Sequence, residues 1–138
     1  MAYAWFWTAE HQRKLSEKIK AARAAKAAGD MDQFRKLNQA LAEEQKKSHR
    51  QVFSTAPADE ALAAIKERIP EIQKQADVSM LVSKWDEQTL KRHASAEKVD
   101  LTDLLTREFK STEKQFKTIE EIRRKKPVPL NEIDKVHD

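Results

Sequence analysis

The chain has no cysteine in its 138 residues. That excludes a disulfide scaffold, a thiolate metal centre and a cysteine nucleophile, and it suits a reducing compartment. Glycine occurs once and proline four times. Tight hairpin turns depend on residues that accept positive φ, so a hairpin-rich β-sandwich is excluded, whereas long helices need neither residue. With Gly29 the lone glycine, no Gly-rich loop exists to cradle a phosphate, and no nucleotide site is expected. No apolar run reaches the roughly 18 residues that a membrane-spanning helix requires. The opening MAYAWFWT is apolar but short, and it lacks a basic leader and a small-residue cleavage site, so it does not read as a secretory signal. His11, His49, His93 and His137 show neither HxxxH nor HExxH spacing and are expected at the surface or at caps. The carboxylates are interleaved with Lys and Arg, so no acid–base pair stands out. No catalytic, metal or cofactor residue can be named, and the chain is expected to be non-catalytic and free of cofactors.

What is present is charge. Charged residues make up 36% of the chain and apolar residues 39%, many of them alanines that contribute little buried area. This composition predicts an all-α protein of elongated amphipathic helices. The net charge of +4 is uneven: residues 1–55 hold 11 Lys/Arg against 6 Asp/Glu, residues 56–99 hold 7 against 8, and residues 100–138 hold 9 against 9. Mixed charge at this density describes solvated helix faces with i,i+4 pairs better than a nucleic-acid stripe.

Residues 1–55 read as an aromatic segment followed by a helical hairpin. Thr8 caps a helix to about Ala28 with a sparse apolar line of Leu15, Ile19 and Ala22. Gly29 suits the left-handed position after it. Asp30 caps the next helix, with Gln33 at the capping-box position and a stripe of Phe34, Leu37, Leu41 and Val52. Residues 56–126 form a second region. Pro57 suits a helix's first turn, and Leu62, Ile65, Ile69, Ile72 and Ala76 follow a 3,4 spacing. Pro70 predicts a kink or stop near Ile69. Val78, Leu81, Val82, Trp85 and Thr89 predict a further helix. Asp100 then opens a last long helix along Leu101, Leu104, Leu105, Phe109, Phe116, Ile119 and Ile122. Arg123 to Lys126 end it, with cations at the negative pole of the dipole. Residues 127–138 are expected to be an extended, then irregular, tail.

Several of these steps occur in a recognisable order. Ile69-Pro70 precedes Gln73-Lys74, and Leu81, Ser83 and Trp85 precede Asp86-Glu87 and Thr89-Leu90-Lys91-Arg92. Val99-Asp100-Leu101 opens the next helix, and Lys126-Pro127-Val128-Pro129 closes it. In order and approximate spacing, residues 59 to 135 resemble subunit d of the mitochondrial F-type ATP synthase. Asp59 is followed by Glu60-Ala61-Leu62 where that family carries an aromatic residue, and the 1–55 hairpin is an addition to its pattern. The resemblance implies a divergent, shortened, non-catalytic subunit of the peripheral stalk on the matrix side of the mitochondrial inner membrane. The implied partners are subunit b, the oligomycin-sensitivity-conferring protein and other stalk chains, with membrane association only through the complex.

On that reading the partner-binding residues are Leu62, Ile65, Ile69, Ile72, Leu81, Trp85, Leu105, Phe109 and Phe116, whose 3,4-spaced stripes suit shallow helix–helix packing. Trp85 is expected in a core shared with another chain. Tyr3, Trp5, Phe6 and Trp7 join this set, because the hairpin stripe is too narrow to cover four aromatics; the simpler alternative is a plug folded back on the hairpin. A second function class is a free-standing helical adaptor or nucleic-acid-binding regulator that uses the basic hairpin. Nucleic acid is not the expected partner, since the basic face of Arg13, Lys14, Lys18, Lys20, Arg23 and Lys26 suits a solvated or acid-facing surface better.

Overall fold

In a computed structural model, which describes residues 1–135, every regular element among those residues is a helix. In chain order these are α1 (Ala2–Phe6), α2 (Ala9–Ala27), α3 (Met31–Phe53), α4 (Asp59–Ala64), α5 (Ile69–Ala76), α6 (Glu87–Arg92), α7 (Thr102–Arg107), α8 (Glu113–Arg124) and α9 (Leu130–Ile133). The all-α class is as expected. The chain exposes 10334 Å², where a compact monomer of its mass would expose roughly 7,400 Å². The molecule is open, with long helices and little interior.

The hairpin forms where its caps place it. Thr8 is extended and accepts a hydrogen bond from the His11 amide at 3.3 Å. After α2, Gly29 sits at φ 76°. Its amide donates to Lys26 O and that of Asp30 to Ala25 O, at 3.1 and 3.0 Å. These are the paired bonds of a Schellman stop, which needs positive φ at the glycine. Asp30 then accepts from the Gln33 amide at 3.1 Å and starts α3. Between the helices Ala22 is buried, while Leu15, Ala25, Phe34, Leu37 and Leu41 are half-buried. Lys26 covers the Phe34 ring at 5.5 Å, and Lys18 binds Glu44 across the hairpin.

The aromatic segment is itself helical and folds back onto the foot of the hairpin. The Thr8 hydroxyl donates to Trp5 O and the Gln12 side-chain amide to Phe6 O, both at 2.8 Å. Ala2 and Ala4 are its buried residues; being small, they let α1 lie close to its neighbours α3 and α8.

The main core gathers Ile65, Ile72, Leu101 and Leu105, with Leu62, Ile69, Val78, Leu81, Leu104 and Phe109 packed around them. Four expectations change here. First, the break expected near Ile69 falls just before it, between α4 and α5. What differs is that Pro70 does not end a helix but stands in the first turn of α5, where its missing N–H costs no helical bond. Second, no helix carries Trp85. Asp77 adopts φ 54°, its amide donates to Lys74 O at 3.2 Å, and Val78 N donates to Gln73 O at 2.9 Å, a stop of the same kind built without glycine. The chain then runs irregularly until Asp86 caps α6. Third, the predicted last helix is two. Lys110 turns left-handed at φ 51°. Thr112 and Gln115 then form a reciprocal capping box, with bonds of 3.2 and 2.8 Å, that starts α8. Fourth, the tail is docked. Val128 N donates to Phe53 O at 2.9 Å, Ser54 Oγ donates to Val128 O, and Arg50 forks onto Asp134. Ile133 is 1% exposed. Residues 136–138 of the expected tail lie outside the described residues.

Candidate functional site: an exposed apolar surface

The residues predicted to face partners divide by burial. Ile65, Ile72 and Leu105 are enclosed by the chain itself, at 7%, 3% and 6% exposure. Leu62, Ile69, Leu81 and Phe109 lie half-buried around them. Phe116 is half-buried on α8, and Tyr3, Trp5 and Phe6 are half-buried on α1. Trp7 and Trp85 point outward, at 44% and 40% exposure. The structure therefore does not bring the predicted set together on one face.

It adds Met80 and Val99, about half exposed, to Trp85. All three stand on the stretch between α5 and α7, most of which lies outside helices. The local geometry explains why Trp85 is held out. Its amide donates to Ser83 Oγ at 3.3 Å, and Asp86 N donates to Ser83 O at 3.0 Å, closing a turn with the indole outside. Lys84 Nζ lies 4.6 Å from the centre of the ring, a cation–π contact. Asp86 accepts from both the amide and the hydroxyl of Thr89, at 3.1 and 2.7 Å, and these bonds hold its carboxyl below the usual range.

The far end of the stretch is pinned electrostatically. Asp100 accepts from Thr102 N and Thr102 Oγ1 at 2.9 and 2.6 Å. Those bonds, then Arg123 and Lys84, hold its carboxyl low against a burial effect. Arg123 reaches Asp100, Asp103 and Glu120 at 3.2, 2.9 and 2.8 Å. An exposed indole, with the exposed side chains of Met80 and Val99, suits binding of another apolar surface. Among the described residues no group of three or more His, Cys, Asp or Glu converges to hold a metal ion, and no helix is long and apolar enough to cross a membrane.

The histidines depart from expectation at one position. His93 is exposed, and His49 is half-buried with its ring 5.8 Å from Phe53. His137 lies outside the described residues. His11, expected at the surface, has only 10% of its side chain exposed. It lies beneath Trp5 and Phe6, with ring centroids 4.5 and 5.1 Å away. The signal was available in the spacing: a histidine at the third helical position, shortly after an aromatic run, is covered if that run folds back. Met80 had no such signal. Val99 stands in the sequence only as the lead-in to Asp100. No family model, curated protein or solved structure matches this chain.

Proposed function

We propose that this chain is a non-catalytic structural subunit of the peripheral stalk of the mitochondrial ATP synthase, holding the catalytic head against rotor torque. The observation that carries the proposal is unburied surface. The chain exposes 10334 Å², roughly 2,900 Å² above a compact monomer of its size. A standard protein interface covers about 800 Å² per partner, so the excess is enough for more than one neighbour. Met80, Trp85 and Val99 stand on that surface as apolar side chains at 50%, 40% and 49% exposure. The likeness of residues 59–135 to subunit d supplies the identity of those neighbours: subunit b, the oligomycin-sensitivity-conferring protein and other stalk chains, at the matrix face of the inner membrane.

The test is blue-native electrophoresis of gently solubilised mitochondrial membranes, probed for this chain and stained for ATPase activity. Co-migration with the activity is the expected result. Migration as a small species away from it overturns the assignment. A second reading, a free-standing adaptor or nucleic-acid regulator, is favoured by one observation. The carboxylates nearest the hairpin tip are already engaged, Asp30 in a cap and Asp32 with Arg35, while Lys20, Arg23 and Lys36 remain exposed without an ion pair. That reading requires affinity for nucleic acid that falls steeply with salt; apolar stalk packing survives the same salt.

A further inference from the structure

His11 joins three elements at the foot of the hairpin. Its backbone belongs to the first turn of α2, and its ring is covered by Trp5 and Phe6 of α1. Its Nε2 faces Glu44 of α3 at 3.7 Å, too long for a hydrogen bond, and this buried nitrogen has no hydrogen-bond partner. Glu44 is already engaged by Lys18 through its other oxygen. The neutral imidazole fits this place as an apolar ring beneath α1, meeting Trp5 edge-on and Phe6 at a tilt. The imidazolium is disfavoured there, because it places a positive charge on a largely buried ring at the positive end of a helix dipole.

We propose that His11 is a proton-operated latch: α1 rests on the neutral ring and is released when acidification charges it. Burial is the main force against protonation, and the nearby charges act in both directions, with Glu44 the strongest of them. Lys14 and Lys18 on α2 disfavour the charged form, and Glu44 alone among the close groups favours it. α1 has no charged side chain in its run AYAWF. The open cleft beside His11 brings in Glu10 of α2, Glu60 of α4, and Glu108 and Lys110 between α7 and α8. Most of these are already matched: Glu10 with Lys14, Glu60 with Lys47 and Gln51, and Glu108 with Arg68.

Burial pushes the His11 imidazole below its ordinary value of 6.5. A group whose folded value is depressed binds its proton first in the released state, so docking is complete at neutral pH and weakens as pH falls below about 6.5. The weakening continues down to the folded value and then levels off. The Met1 amine, next to α1, is pushed down to about 6 by burial, with Arg123 and Lys84 adding to the shift, and it titrates nearby. A useful test must separate the two groups.

The experiment is an NMR titration of the full chain from pH 8 to 5. It follows the His11 ring protons, the Trp5 and Phe6 ring protons, and native-state exchange of the Trp5 amide, which is bonded to Met1 O. The expected result is a His11 midpoint below 6.5, the same midpoint in both aromatic rings, and an opening constant for α1 that rises up to about tenfold per pH unit below 6.5. In His11→Gln that midpoint disappears from the Trp5 and Phe6 rings, leaving only any change due to the Met1 amine. Glu44→Gln, which removes the one favourable charge, moves the midpoint to lower pH. A His11 midpoint at or above 6.5 overturns the latch, as does a Trp5 transition that is unchanged in His11→Gln. If a variant folds poorly the wild-type titration still tests the latch, because a Trp5 amide opening constant that does not follow the His11 midpoint overturns it.

Discussion

Ile133 offers the sharpest test of how this chain holds itself together, because it lies in a segment that reads as a loose tail. Its side chain is 1% exposed and sits on the single turn of α9, which packs against α3. Ile133→Ala removes three buried carbons. At ~0.8 kcal/mol per buried methylene the transfer loss is about 2.4 kcal/mol. A residual cavity adds to this, and comparable substitutions in well-packed sites cost 2–5 kcal/mol. One helical turn can shift more easily than a long helix, so about 3 kcal/mol is expected. With a urea m-value of ~1.5 kcal/mol/M, the unfolding midpoint falls by about 2 M.

There is also a ceiling on this loss. The tail is otherwise held by Val128 N on Phe53 O, by Ser54 Oγ on Val128 O and by Arg50 on Asp134. If those contacts are worth less than the isoleucine, α9 lifts off alone and the global midpoint moves less than the area arithmetic requires. Hydrogen exchange of the Val128 amide distinguishes the cases, because lifting exposes it while the α2–α3 hairpin stays protected. The reasoning fails if Ile133→Ala stays within ~0.5 kcal/mol of the parent, as a surface substitution does, and Val128 protection is also unchanged.

Three further substitutions separate backbone, cap and surface effects. Gly29→Ala is expected to cost ~1–2 kcal/mol by urea titration, wholly from forcing a side-chain-bearing residue to φ 76°; a Cβ there meets nothing within 4 Å, so a larger loss would mean a steric conflict that is absent. Thr112→Ala removes one half of the capping box that starts α8 and should cost ~1 kcal/mol, read as a lower urea midpoint with exchange rising first at the amide of Gln115. Trp85→Ala should leave the stability of the isolated chain within ~0.5 kcal/mol, yet weaken association with the proposed stalk partners by ~2–4 kcal/mol in a binding titration. Unchanged affinity removes Trp85 from the interface, and a large loss of intrinsic stability contradicts its outward position.

The hairpin was legible because its signals are local. Thr8, Gly29 and Asp30 each dictate the backbone within one turn, and all three act in the structure as their chemistry predicts. The second half was less legible because its apolar spacing is ambiguous. Phe109 and Phe116 are seven residues apart, a separation that one continuous helix satisfies, yet the Thr112–Gln115 box between them starts a separate helix. The same happened at Asp86 and Thr89, where a cap inside the expected helix marks its real beginning. Capping chemistry outweighed periodicity in both places. The tail was misread for another reason: Pro127 and Pro129 do stop α8, but nothing local records that Phe53 and Ser54 lie ready to pair with Val128. For the candidate surface, Trp85 is visible in the sequence as a residue but not as an exposed one, since its exposure depends on the turn closed by Ser83 ahead of the Asp86 cap.

Helix length ties these observations to function. Isolated helices shorter than about 12–15 residues are marginal in water, and α4, α6 and α7 have six residues each. α4 and α7 are held because Ala61, Leu105 and Thr106 are buried. α6 buries no residue and depends on the Asp86 cap, with only Thr89 and Leu90 half-covered. The part of the chain with the weakest internal support is therefore the part that displays Met80, Trp85 and Val99. A helical neighbour laid on this stretch would cover those side chains and supply the tertiary contact that α6 lacks. Its ordering cost would be offset by apolar burial that the chain cannot provide for itself. On the proposed stator role this coupling is useful, because a segment that stiffens only when its neighbours are in place makes rigidity a property of the assembly.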